Sequence, residues 1–128
     1  MPTATVGSRR APRHLEDDLQ AACIAAFRYE HPRLAGLLFA IPNGGNRSAR
    51  EGARLKKQGV ISGVPDLQLA VPVPPFAGLF LELKVGANRP SPAQRLMLER
   101  LTAAGYRAVV VYSLAEFRAE ISAYLSAK

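Results

Sequence analysis

The stretch VPDLQLAVPVPPFAGLFLELK, residues 64–84, decides how the chain is read. It holds two apolar runs. Asp66 to Val71 reads as one strand and Gly78 to Lys84 as another, and the proline-rich VPVPP between them breaks the first, most simply as a hairpin connection. Side chains alternate along a strand. Glu82 and Lys84 therefore share a face with Phe80, while Leu79, Leu81 and Leu83 take the other. Both faces are partly apolar, which is the pattern of a central strand. Charges on the face of such a strand are costly unless they are paired or bind a metal.

Upstream, Leu15, Leu19, Ala22, Cys23, Ala26 and Phe27 recur at three- and four-residue spacing and predict a helix that ends before Pro32. Residues 37–41 (LLFAI) read as a short buried strand stopped by Pro42. Asn43-Gly44-Gly45 marks a loop. From about Ser48 to Lys57 the residues are helix formers, with five cations in 47–57: Arg47, Arg50, Arg54, Lys56 and Lys57. Gly59 and Gly63 bound a second loop.

Downstream, Ser91-Pro92-Ala93-Gln94 has the form of a helix start. Ser91 caps, Pro92 suits the first helical position, and Gln94 completes a capping box. Gly105 closes that helix, 107–112 (RAVVVY) is a strand, and a last helix carries Leu114, Phe117, Ile121, Tyr124 and Leu125 on one face. The order is helix, strand, basic segment, strand, strand, helix, strand, helix. That is one α/β domain with a mixed sheet of about four strands flanked by helices.

The 128 residues fit this single domain. Lys and Arg number 17 against 10 Asp and Glu, a net +7, which points to a polyanionic partner. No apolar run approaches the roughly 18 residues of a membrane span. The N-terminus lacks a signal peptide's apolar core, and a single cysteine makes no internal disulfide. The expectation is a soluble cytoplasmic protein. Residues 1–13, with Arg9, Arg10 and Arg13, read as a mobile basic arm, and 14–128 as the domain.

If the two strands of the opening stretch pair, Asp66 and Glu82 converge at one end of the sheet. Close carboxylates repel unless a cation lies between them, and Mg²⁺ favours one or two carboxylates, a carbonyl and water. Lys84 beside them could orient or activate the attacking water and offset charge on a phosphate. The combination describes metal-assisted phosphodiester hydrolysis. Taken alone, D…ExK is also what a turn aspartate and a Glu–Lys pair on an exposed edge strand produce. The strand's apolar other face and the glycine- and cation-rich loop upstream favour the first reading.

The Asn43, Gly44, Gly45 and Arg47 loop lets backbone amides approach a phosphate, with Arg47 or Arg50 on the strand being cut, or it is only a tight turn. Arg54, Lys56 and Lys57 extend this basic surface. Gln94 lies at helical spacing with Met97, Leu98 and Leu101, so it faces inward as well as capping. Glu16 and Gln20 lie one turn apart; the residues alone also allow two solvated polar groups near a helix start. His14 and His31 lack metal-ligand partners at useful spacing, and Cys23 reads as a small core residue. Tyr29, Tyr106, Tyr112 and Tyr124 form no aromatic row of the kind that stacks single strands.

PNGGNRSAREGARLKKQGVISGVPDL, then GLFLELK, SPAQ and GY, together resemble the VRR-NUC family, virus-type replication–repair nucleases of the PD-(D/E)XK superfamily. The similarity is to the small stand-alone phage and bacterial members, and covers about residues 15–125. It implies a restriction-endonuclease-like fold and Mg²⁺- or Mn²⁺-dependent cleavage of DNA in replication, repair or recombination. Asp66 and Glu82 match the metal ligands, with the Leu83 backbone carbonyl as a third. Lys84 matches the catalytic lysine, Glu16 the acidic residue of the first helix, and Gln94 the glutamine of the later helix. Many relatives carry a tyrosine four residues after that glutamine; here it is Leu98. The resemblance also implies branched or structured DNA such as Holliday junctions or flaps, a homodimer, no small-molecule cofactor, and a cytoplasmic place at the nucleoid or in a phage host. A catalytically silent nucleic-acid-binding module and an RNA-directed nuclease are the alternatives.

Overall fold

A computed structural model describes residues 12–42 and 48–127. The arm up to residue 11, and Asn43, Gly44, Gly45 and Arg47 of the glycine loop, lie outside the described residues. Helix α1 runs Arg13–Glu30 and a 3-10 turn, Pro32–Leu37, follows it. Strand β1 is Leu38–Ala40, α2 is Ala49–Lys57, β2 is Leu67–Leu69 and β3 is Leu79–Leu83. Then come α3 (Pro92–Ala103), β4 (Arg107–Val111) and α4 (Leu114–Ser126).

The strands form one sheet in the order β1-β2-β3-β4. β1, β2 and β3 are antiparallel neighbours. β4 runs parallel to β3, because a helix lies between them and carries the chain back to the same end. The expected α/β class, mixed sheet, hairpin and element order are all present. β3 is central and all five of its residues are buried.

Leu79, Leu81 and Leu83 face α1 and α4, where they join Leu67, Leu69, Leu38, Cys23, Phe27, Phe117 and Ile121 in the core. Burying each such side chain stabilises the fold by roughly 1.5–3 kcal/mol. Tyr124 closes one end of this layer, and its hydroxyl donates to the Val71 carbonyl at 2.6 Å. α3 packs on β4 and covers part of the opposite face.

Two expectations need correction. The segment 37–41 is not a buried strand: only Leu38 of β1 is buried, and Phe39 is 43% exposed, because β1 is an edge strand. Leu37 ends the 3-10 turn that Pro32 starts, and Leu15 is exposed at the first turn of α1 rather than part of its buried stripe.

Candidate active site

The hairpin register builds the site. Leu67 pairs with Leu81, so one residue back Asp66 stands across from Glu82, on the sheet face that carries α3. The Ile41 N–H donates to the Asp66 carbonyl at 2.8 Å, which ties Asp66 to the end of β1. Its side chain replaces a ladder acceptor: Oδ2 accepts from the Leu83 N–H at 2.7 Å. The same register sets Leu83 opposite Pro65. Proline has no N–H, so the Leu83 carbonyl meets no ladder donor there. That oxygen therefore remains available beside the carboxylates.

Glu82 is 1% exposed. Its Oε2 accepts from the Gln94 amide at 3.0 Å and lies 3.5 Å from the Lys84 ammonium. Its Oε1 is buried with no hydrogen-bond partner among the described residues. An unsatisfied carboxylate oxygen in a sheet interior is costly and calls for a ligand.

Gln94 does two things with one amide. Its Oε1 accepts from the Ser91 N–H at 2.8 Å while Ser91 Oγ accepts from the Gln94 N–H at 3.2 Å, the predicted capping box. With the oxygen committed to the cap, the NH₂ group faces Glu82. Gly63 locks the preceding loop against this helix start. Its φ is +91°, and a Cβ there would lie 2.6 Å from the Ala93 carbonyl oxygen.

Glu16 is half-buried, and its Oε2 accepts from the Asn88 amide at 2.6 Å. Its charge still bears on Asp66. Among the described residues, however, no three Asp, Glu, His or Cys side chains cluster tightly enough to hold a metal ion by themselves. The direct acidic pair is thus Asp66 and Glu82, with Glu16 set back.

The solved structure of a "VRR_NUC domain protein" has the same fold, with TM-score 0.77 over 88% of each chain and 27% sequence identity. The chain is thus similar in fold and sequence to a VRR-NUC protein. No protein-family model and no curated protein matches the sequence.

At this site, electrostatics follow from burial. Desolvation and then the charge of Asp66 raise the Glu82 pKa to about 8, with Lys84 opposing them. Burial also raises Asp66, against the Leu83 N–H and Lys84. Without a cation the pair therefore retains a proton that two separated carboxylates would lose.

The basic helix α2 has no buried residue, and Ser48 caps it through the Glu51 N–H. A cavity of about 400 Å³ lies along it, lined by Gly52, Ala53, Leu55, Lys56 and Val60. No acid lines that cavity, so the chemistry belongs to the carboxylates. Arg54 pairs with Glu51, while Arg50, Lys56 and Lys57 are exposed. Asp17 and Asp18 are exposed too, Cys23 is fully buried, and His31 packs against Phe27 at 5.0 Å. Three features had no individual sequence signal. The Asn88 tether, the Pro65–Leu83 opposition and the exposed Phe39 all come from register and tertiary approach. Only the proline of Pro65-Asp66 could have hinted at one of them.

Proposed function

We propose that the chain is a divalent-metal-dependent DNA endonuclease selective for branched or otherwise structured DNA. The observation that carries this reading is the buried, unpartnered Glu82 Oε1 across from Asp66. With the Leu83 carbonyl, these atoms make the two-carboxylate-and-carbonyl donor set that Mg²⁺ or Mn²⁺ accepts, so Asp66, Glu82 and Leu83 would hold the ion. Glu16 fits a role through water. When bound, such a cation supplies positive charge for phosphate oxygens and lowers the pKa of a water.

The chain's own residues do the rest. Lys84 places an ammonium 3.5 Å from Glu82, where it offsets negative charge on the pentavalent phosphate and orients the attacking water. Gln94 fixes the Glu82 rotamer from the α3 cap. Arg50, Arg54, Lys56 and Lys57 contact phosphates without reading sequence. Two copies of so small a core would present two sites to two strands, which suits a junction of two-fold symmetry.

The test compares wild type with Asp66→Asn and Lys84→Ala on duplex, flap, four-way junction and single-stranded DNA, with matched RNA, in Mg²⁺, Mn²⁺ and chelator. Asn at 66 still offers an acceptor to the Leu83 N–H, so the sheet end is preserved. Cutting should need the metal, favour branched DNA, and fall by about 10²–10³ in Lys84→Ala, the effect of losing one charge-stabilising donor. Wild-type rates in both variants would remove the assignment. Light scattering reads the dimer.

A further inference from the structure

We propose that Phe39 and Gln68 form a nucleobase site on the active-site face of the sheet, where an unpaired base next to the cut phosphate stacks. This rests on the nuclease reading and names what its substrate must offer there: an unpaired nucleotide.

The register carries the argument. Phe39 pairs with Gln68, Gln68 with Phe80, and Phe80 with Ala108, one row across all four strands. Paired residues share a face, and residues two apart along a strand share it as well. Phe80 and Glu82 are two apart, as are Gln68 and Asp66. The Phe39 row therefore lies on the carboxylate face, one step from the acidic pair. One strand spacing and two residues separate Phe39 from Asp66, about 8 Å between their Cα atoms. A stacked strand advances about 3.4 Å per nucleotide, so a base at Phe39 is within roughly two nucleotides of a phosphate at Asp66.

The row changes character across the sheet. Phe80 is 7% exposed and meets Tyr106 edge-on at 5.1 Å, on the side where α3 packs on β4. Phe39, at the far end, is among the exposed large hydrophobic residues, and Gln68 beside it is half-buried. An exposed phenyl ring is an ordinary stacking platform for any base, and a neighbouring amide offers a donor and an acceptor to the base edge. The occupant follows from continuity and charge. A strand with its phosphate at Asp66 and Glu82 must cross this same face, and the chain's +7 charge favours a polyanion over a neutral peptide. A base held in a duplex keeps both faces stacked and cannot use the ring.

The chain has no tryptophan, so Phe39→Trp creates a single reporter at the site. Binding is read by anisotropy in chelator, with a labelled single strand, the same strand carrying a tetrahydrofuran abasic residue at successive positions, and the paired duplex. The single strand should quench the tryptophan. The duplex, at equal saturation, should not, and abasic residues at one position should abolish the quench. Phe39→Ala should weaken single-strand binding about 5- to 150-fold, the range for losing a stacking aromatic, and leave duplex binding unchanged. Unchanged emission at saturation, or an equal loss for strand and duplex, overturns the site. So does a change in oligomeric state on Phe39→Ala without any effect of abasic residues, since β1 would then be a contact between copies. None of these readouts needs cleavage. A chain that binds and quenches but never cuts with metal sinks the nuclease reading and not the base site.

Discussion

Changing pH from about 6 to about 8 should strengthen Mn²⁺ binding on the order of 50-fold. Burial and the Asp66 charge hold the Glu82 pKa at about 8 in the metal-free protein, and a cation can use only the ionised carboxylate. The competent fraction is then about 0.01 at pH 6 and about 0.5 at pH 8, and apparent affinity scales with that fraction. The assay is a Mn²⁺ titration by calorimetry or electron paramagnetic resonance at several pH values. Glu82→Gln should bind weakly and lose the pH dependence. The same protonation has a signature in stability. A carboxylate whose folded pKa is raised favours the fold below its unfolded pKa, about 4.3, and loses that contribution as pH rises through the folded value. Metal-free protein should therefore lose stability between about pH 5 and pH 8 relative to Glu82→Gln, and saturating Mn²⁺ should restore it. A change in Mn²⁺ affinity of less than about threefold across the range would refute the reasoning, because the proton would then not compete for the site.

Gly63→Ala should destabilise the fold by at least about 2 kcal/mol in denaturant melts, since the added methyl meets the Ala93 carbonyl at a left-handed φ. Gly52→Ala should do the opposite locally: its Cβ meets nothing within 4 Å, and alanine favours a helix by about 1 kcal/mol, visible as slower amide exchange in α2. Ser91→Ala and Gln94→Ala should each cost about 1 kcal/mol through the α3 cap, but only Gln94→Ala should also weaken Mn²⁺ binding, because it alone holds Glu82.

Much of this was legible in order along the chain. The capping box at Ser91–Gln94 is a local four-residue pattern and formed as read. The strands of the hairpin were bounded by prolines and glycines, and once they pair, the period of two brings Asp66 and Glu82 onto one face. What was missed is what depends on neighbours far along the chain. Phe39 looked buried because its apolar run says nothing of its place at the sheet edge. Asn88 lies 72 residues from Glu16, and only the packing of α1 brings them together. The Asp66 bond to the Leu83 N–H exists because β2 starts one residue later than the sequence suggested and leaves that amide unclaimed.

α2 holds four cations on a helix that buries nothing, whereas Glu82 is embedded in a strand buried along its whole length. Mutation explores these two places on different terms. A changed charge on α2 costs the fold little, so the repertoire of polyanions the protein grips can drift over generations. A changed acid in β3 alters the sheet itself. Heritable variation in target preference should accumulate on the helix while the means of cutting stays fixed.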